Sequence, residues 1–137
     1  MSKTEQEIEV KFPLRDLPSL AGRLEALGAR LIAPRVHEMN LRFDTPDRVL
    51  TAARRVLRLR QDNHAYITYK GPAAPGGEVS DRQEIEVQVS DFTAAQHLLE
   101  ALGYEVSVMY EKYRTTYALS DLIVTLDEMP FGSFAEI

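Results

Sequence analysis

The sequence predicts an α+β domain, with an antiparallel sheet that closes, or nearly closes, into a β-barrel and helices packed outside it. In the strand-like segments, charged and apolar residues alternate, so each predicted strand has one charged and one apolar face. Two further segments carry leucine stripes at helical spacing, which can cover the apolar faces. The charged faces would then line the barrel interior. The alternative is an open sheet whose charged face meets water.

The first predicted elements are a strand over Glu5–Phe12 and a helix that Asp16 caps and Gly28 ends. The helix places four leucines on one face: Leu17, Leu20, Leu24 and Leu27. The middle of the chain predicts a long strand, a turn that opens a short helix, a hairpin and a loop. These lie at Arg30–Phe43, Thr45–Ala53, Val56–Gln61 with Ala65–Lys70, and Gly71–Ser80.

The later elements partly repeat the first ones. A strand is predicted over Arg82–Val89, and a helix runs from its Asp91 cap to Gly103. Its inward residues are Phe92, Ala95, Leu99 and Leu102. Residues 84–103 share the segments EIEV and LEALG with residues 7–28, which predicts two related strand–helix halves. Three more strands follow, at Tyr104–Leu119, Leu122–Glu128 and Ser133–Ile137.

Composition limits the classes of function. The 137 residues suit one domain, 1–137, and the net charge of −5 argues against a general nucleic-acid binder. There is no cysteine for a disulfide or a thiolate site. The sequence shows no long apolar run and no apolar leader region, so we expect a cytoplasmic protein without membrane contacts.

Charged residues at alternate positions form the main candidate site. Glu7 and Glu9 supply hard oxygen ligands on one strand face, as Mg²⁺ or Mn²⁺ requires. Arg58 and Arg60 offer planar guanidinium groups suited to phosphate oxygens. Strands with carboxylate pairs and strands with cation pairs suit a divalent metal bound to a polyphosphate. For each motif taken alone, a charged surface strand or a turn is the alternative.

Other constellations of catalytic residues are missing from the sequence. The histidines His37, His64 and His97 do not have metal-ligand spacing. Neither a phosphate-binding P-loop nor a dinucleotide-binding glycine motif occurs. The serines lack the context of a nucleophile elbow.

The charged motifs resemble, in order, those of the CYTH domain family, the triphosphate tunnel metalloenzymes. The likeness begins at Glu7-x-Glu9-x-Lys11 and covers essentially the whole chain. The later matching segments are FDT at 43–45, LRLR at 57–60, ITYKGP at 67–72, RxEIEV at 82–87, EKxRxxY at 111–117, and LD at 126–127 followed by GxFxEI at 132–137. The pattern is most similar to the class IV adenylyl cyclase (CyaB-like) branch.

The resemblance implies an antiparallel β-barrel that forms a triphosphate tunnel, with specific residues in specific roles. The implied metal ligands are Glu7, Glu9, Glu84, Glu86, Asp127 and Glu136. The implied triphosphate-binding residues are Lys11, Arg58, Arg60, Lys70, Arg82, Lys112 and Arg114. Lys70 and Lys11 are the implied catalytic residues, with Lys70 assisting proton transfer.

The sequence departs from the family pattern at two places. Arg42 stands where the family often has tyrosine before Phe-Asp-Thr. The family motif also continues past Glu136-Ile137, so we expect a chain that is truncated at its C-terminus and a tunnel that is incomplete.

The expected function is divalent-metal-dependent cleavage of a phosphoanhydride bond in a linear triphosphate, with Mg²⁺ or Mn²⁺ as cofactor. Hydrolysis by a triphosphatase is favoured, because it demands less recognition of a nucleotide base. Cyclisation of ATP to cyclic AMP and pyrophosphate is the alternative. A non-catalytic polyphosphate-binding module is an alternative of another class. The expected partner is the small-molecule triphosphate. The sequence leaves open whether the protein forms a homodimer.

Overall fold

The computed structural model describes residues 2–73 and 79–137, with side chains described for residues 9–73 and 81–137. The strands are β1 (Ser2–Leu14), β2 (Arg30–Asp44), β3 (Val56–Gln61), β4 (Ala65–Lys70), β5 (Val79–Val89), β6 (Glu105–Leu119), β7 (Leu122–Met129) and β8 (Gly132–Glu136). The helices are α1 (Leu17–Ala26), α2 (Val49–Ala52) and α3 (Phe92–Ala101). The predicted α+β class, with a mostly antiparallel sheet of eight strands and few helices, is confirmed.

The predicted strand bounds agree best in the hairpin, where β3 and β4 match the prediction residue for residue. Strands β1 and β5 both begin earlier than predicted. Of the predicted loop over Gly71–Ser80, the last two residues belong to β5, and residues 74–78 lie outside the described part of the chain. Within the described residues, no helix is long and apolar enough to cross a membrane.

The chain divides into two compact units. Unit 1 comprises Met1–Ile8 and Met39–Tyr110, and unit 2 comprises Glu9–Glu38 and Glu111–Ile137. Strands β1, β2 and β6 each contribute residues to both units.

In unit 1, antiparallel ladders join β2 to β3, β3 to β4 and β4 to β5. Leu59 lies opposite Leu41 on one neighbouring strand and Ile67 on the other. Helix α3 covers this apolar face with Ala95 and Leu99, and Leu59 in the core has no exposed surface. The side chains of the opposite face are polar, so burial of the apolar face leaves a charged face on the other side of the sheet.

In unit 2, antiparallel ladders join β6 to β7, β7 to β8, and β8 to β1. Ala135 lies opposite Leu126 and Phe12, and these residues form the apolar face. Helix α1 packs on that face through Leu24, which is buried together with Tyr117. As in unit 1, one helix covers the apolar face and a polar face remains.

The two helices begin and end alike, as the internal repeat predicts. The carboxylates of Asp16 and Asp91 accept hydrogen bonds from the backbone N–H groups of Ser19 and Ala94, respectively, at 3.1 and 3.0 Å. Both helices end at a glycine with positive φ, +87° at position 28 and +99° at position 103. At the end of each helix, the backbone N–H of the residue after the glycine donates a hydrogen bond to the carbonyl of the first leucine of LEALG. These pairs are Ala29 with Leu24 and Tyr104 with Leu99.

The predicted leucine stripes are wrong at one position in each helix. Leu27 and Leu102 are both 68% exposed, although both were expected to face inward. Each is the C-cap residue, one position past the last helical residue, where the backbone turns into the glycine. Helical spacing therefore no longer applies at these two leucines, and their side chains are exposed and do not pack against the sheet.

Asp44 ties the end of β2 to α2. One carboxylate oxygen accepts from the N–H groups of Thr45 and Leu50 at 2.8 and 2.9 Å. The other oxygen accepts from the N–H and the hydroxyl of Thr51 at 3.0 and 2.6 Å. Burial alone would raise the pKa of Asp44, but these hydrogen bonds outweigh it and lower the pKa to about 2.

We expect Asp44→Asn to lower the free energy of unfolding by at least about 1.5–3 kcal/mol at pH 7, because the amide cannot replace all the charged contacts. The ionised Asp44 stabilises the fold fully above its unfolded pKa of about 3.9. That stabilisation is lost as the pH falls through the folded value of about 2. Urea unfolding measures both effects, with Asp47→Asn, an exposed carboxylate in the same turn, as the control. Equal unfolding midpoints for wild type and Asp44→Asn at pH 7 would contradict this role.

Candidate functional site

The polar face of unit 1 carries a row of cations and amides across four strands. On this face Arg60 lies between Asn40 of β2 and Tyr66 of β4, and Arg58 lies between Arg42 and Thr68. The side chains of Arg58 and Arg60 are half-buried, and Asn40 and Thr68 have no exposed surface. The predicted substrate residues Arg58 and Arg60 therefore do share one face.

Several polar atoms on this face are buried without a hydrogen-bond partner among the described residues. They include the Nε atoms of Arg58, Arg60 and Arg82, and both amide atoms of Asn40. Arg60 also has an ion-pair contact with Asp62 at 3.6 Å, and its guanidinium lies 4.6 Å from the ring centre of Tyr66. Buried donors without partners are costly, and they mark places where a ligand or water completes the structure.

Carboxylates stand beside these cations on β5. Glu84 is buried, and its Oε2 lies 4.0 Å from the Nζ atom of the half-buried Lys70. Glu86 accepts a hydrogen bond from the hydroxyl of Thr68 at 3.0 Å. Strand β5 thus brings both predicted acidic residues onto the face that carries the arginines.

The polar face of unit 2 holds an ion-pair network centred on Asp127. Arg114 donates two hydrogen bonds to its carboxylate at 2.7 Å each, and Lys112 donates one at 3.2 Å. Arg114 also donates to Glu136 at 3.2 Å. Asp127 is 1% exposed and Lys112 is 6% exposed, so this network is largely closed to water.

The network shifts the proton affinities of its members. Burial alone would raise the pKa of Asp127, but the hydrogen bonds and charges of Arg114 and Lys112 lower it. Burial opposes the charge of Arg114, yet the contact with Asp127 raises the pKa of Arg114. Both shifts favour the charged forms, so the pair stays ionised across the neutral range.

The sequence analysis missed Glu38. Its side chain is 2% exposed, and its two oxygens lie 3.9 Å from the terminal nitrogen of Lys112 and from Nε of Arg114. Its Oε1 is buried and accepts no hydrogen bond among the described residues. The polar residues Glu38, Asn40 and Arg42 alternate along β2, a signal that could have revealed the residue.

The predicted metal ligands are divided between the two units, and one of them has no described side chain. Glu84 and Glu86 belong to unit 1, whereas Asp127 and Glu136 belong to unit 2. Within the described part of the chain, no group of three or more histidine, aspartate or glutamate side chains is placed to hold a metal. The side chain of Glu7 lies outside the described residues. Glu9 is half-buried on β1, and Lys11 is exposed with its Nζ atom 5.6 Å from the ring centre of Phe134.

Comparison with known proteins identifies the family. The family model described as the CYTH domain matches residues 5–137. The chain belongs to the CYTH domain family. The CYTH family is a family of metal-dependent tunnel enzymes. The resemblance inferred from the motifs is thereby confirmed.

Several known proteins are similar to this chain. The adenylate cyclase CyaB of Aeromonas hydrophila is 31% identical over 135 residues, which cover 96% of this chain and 67% of that protein. The structure of a candidate adenylate cyclase from Vibrio parahaemolyticus is 27% identical, with a TM-score of 0.84 over 96% of this chain and 73% of that one. A candidate adenylyl cyclase from Hippeastrum, HpAC1, is described as having a dominant triphosphatase activity. It is 22% identical, with a TM-score of 0.74 over 95% of this chain and 77% of that one, which shows a shared fold.

We expect Asp127→Asn to reduce the free energy of unfolding by about 3–5 kcal/mol, because it leaves the buried Lys112 and the half-buried Arg114 short of their shared counter-charge. Denaturant titration at pH 7 measures this loss. Asp121→Asn is the matched control, because Asp121 is an exposed carboxylate in the turn before β7. A midpoint for Asp127→Asn equal to that of the control would show that the network does not stabilise the fold.

Proposed function

We propose that this CYTH protein binds a linear triphosphate together with a divalent metal and cleaves one of its phosphoanhydride bonds. The observation that supports the proposal most directly is the set of buried Nε atoms of Arg58, Arg60 and Arg82 on one sheet face, none of which has a hydrogen-bond partner among the described residues. Guanidinium groups in this state suit the oxygens of a phosphate chain, which accept several charge-assisted hydrogen bonds.

We further propose that the eight strands close into the tunnel that is typical of the family. Family membership supports this proposal, as does the presence in each unit of one polar sheet face opposite a helix-covered apolar face. A closed sheet would exclude bulk water from the polar faces, and this would strengthen their attraction for a polyanion.

The residues suit Mg²⁺ or Mn²⁺ when the substrate supplies part of the coordination shell. Mg²⁺ is often bound through one or two carboxylates plus phosphate oxygens, so a cluster of three protein ligands is not required. The buried Oε1 atom of Glu38, which accepts no hydrogen bond among the described residues, is a suitable hard oxygen. We propose that Glu38 and Glu136 hold the metal, with Glu7, Glu9, Glu84, Glu86 and Asp127 as further candidate ligands. When bound, the metal neutralises phosphate charge and polarises the bond that breaks.

The side chains contribute binding, orientation and proton transfer. Arg58, Arg60 and Arg82 bind the phosphate oxygens on unit 1, and Lys112 and Arg114 do so on unit 2, where Asp127 fixes their position. Lys11 adds a cation at the end of β1. Lys70, held near Glu84, is the candidate group for moving a proton between the nucleophile and solvent.

Two reactions fit this chemistry, and they differ in the nucleophile. If water attacks, a triphosphatase releases orthophosphate. If the ribose 3′-hydroxyl of ATP attacks, the products are cyclic AMP and pyrophosphate. We favour hydrolysis, in line with the activity described for HpAC1 and with a site that recognises phosphate oxygens. The name of the Aeromonas relative supports cyclisation as the second candidate.

Product analysis decides between these activities. The protein is incubated with inorganic triphosphate and, separately, with ATP, and orthophosphate, pyrophosphate and cyclic AMP are quantified. We expect orthophosphate from inorganic triphosphate and little cyclic AMP from ATP. Cyclic AMP as the main product would establish the cyclase instead. Tight triphosphate binding without any turnover would identify a binding module and contradict the proposed enzyme.

Turnover is expected to require a divalent metal, because the carboxylates on both polar faces repel a bare triphosphate. Phosphate release is measured with Mg²⁺, with Mn²⁺ and in excess chelator. Undiminished release in chelator would refute the requirement.

Glu38→Gln removes one negative charge with little change of shape and should mainly reduce metal-dependent turnover.

Arg60→Ala is expected to weaken triphosphate binding by about 1.5–3 kcal/mol, the usual worth of a hydrogen bond to a charged group. Isothermal titration calorimetry with inorganic triphosphate and Mg²⁺ measures the loss. Arg23→Ala, an exposed arginine on α1, controls for the change in net charge. An affinity equal to that of the control variant would exclude Arg60 from the binding face.

A further inference from the structure

Unit 1 contains a second concentration of arginines, in a pocket of about 460 Å³. We call it the arginine pocket, defined by Arg42, Arg48 and Arg55. Its lining also includes apolar side chains, among them Phe43, Leu57 and Val108. No aspartate or glutamate is among the lining residues, so three positive charges share one cavity in a chain whose net charge is −5.

These arginines lack the counter-charges that surface arginines usually find. Within the described part of the chain, none of the three forms an ion pair with a carboxylate. The Nε atom of Arg55 is buried and has no hydrogen-bond partner there. Asp44 braces the same segment, but its oxygens accept from Thr45, Leu50 and Thr51. Among the described residues, the arginines of the pocket therefore carry one buried donor without a hydrogen-bond partner and positive charge without a carboxylate partner.

The segment that carries Arg48 and Arg55 is held in a defined position. The four hydrogen bonds to Asp44 fix the turn before α2 and the first residues of that helix. Arg55 follows at the end of the same connection, where its N–H donates to the carbonyl of Leu50 at 2.9 Å. A fixed backbone lowers the entropy cost of placing these guanidinium groups around a ligand.

The backbone at Arg48 is left-handed, with φ of +61°, a region that favours glycine. Arg54, on the other side of α2, has almost the same φ, +58°, but does not line the pocket. The two arginines form a matched pair: replacing either by glycine removes one charge and relieves the same backbone conformation.

We propose that the arginine pocket is a second binding site, which takes a phosphate group at Arg48 and Arg55. Arg42, the third arginine of the pocket, lies opposite Arg58 and borders both the pocket and the face of Arg58, Arg60 and Arg82. Arginine forks match the oxygens of phosphate, and the apolar floor can cover the carbon part of an organic phosphate. The phosphate comes either from an inorganic anion such as pyrophosphate or from an organic ester. The site requires neither a metal nor bond cleavage, so it stands apart from the proposed catalytic function.

The test measures phosphate binding to the full chain by isothermal titration calorimetry in excess chelator. The probes are inorganic pyrophosphate and adenosine 5′-monophosphate. All variants carry Arg58→Gln and Arg60→Gln, which removes two of the cations proposed to bind phosphate at the first face. In that background we expect Arg48→Gly to weaken binding of at least one probe by about 10-fold or more, the effect of one lost charge-assisted contact. Arg54→Gly should change it by no more than about 2-fold, because Arg54 is exposed and does not line the pocket, so its charge is screened by solvent.

Thermal unfolding keeps this result separate from a folding defect. Because Arg48 is exposed and glycine suits its φ, Arg48→Gly should keep or raise the unfolding midpoint. Weaker binding at an unchanged midpoint supports the site, and the probe that binds more tightly identifies the source of the phosphate. No binding of either probe in the Arg58→Gln/Arg60→Gln background, or equal loss in the two glycine variants, would overturn the proposal.

Discussion

The structure depends on charged side chains that are buried on one face of the sheet, where each cation needs a nearby negative charge. Period-two alternation puts apolar residues under the helices, and the same alternation puts cations and carboxylates on the other face. In unit 2 the balance is internal, because Asp127 shares its carboxylate between Arg114 and Lys112. Without that shared carboxylate, two cations would lack their closest partner in a largely dry environment.

In unit 1, the arginines of the polar face are not all paired with carboxylates. Among the residues whose side chains are described, the buried Nε atoms of Arg58 and Arg82 and both amide atoms of Asn40 have no hydrogen-bond partner. A fold can retain such atoms when a ligand or water satisfies them, at a cost to stability in the ligand-free state. The contrast suggests a division of tasks: unit 2 holds its charges in a fixed network, and unit 1 holds donors ready for an anion.

Much of the fold could be predicted from sequence because its signals are local. Alternation located β3 and β4 to the residue, and the repeated Asp caps and LEALG segments located both helices. The members of the Asp127 network could be named from motifs, but their pairing could not, since it depends on strand register. Glu38 was missed because its long strand mixes polar and apolar residues, and the arginine pocket was missed because it joins residues far apart in the chain.

The repeated strand–helix halves also affect how the chain reaches its structure. Leu24 and Leu99 open identical LEALG segments and are buried in the cores of different units. The shared segment thus presents the same leucine to two different docking surfaces, one that contains Tyr117 and one that contains Phe43. Discrimination falls to the first turns, where α1 offers Leu17 and Leu20 and α3 offers the bulkier Phe92 with the smaller Ala95. The N-terminal turns thus determine which surface each helix packs on, while the shared C-terminal turns contribute only apolar burial.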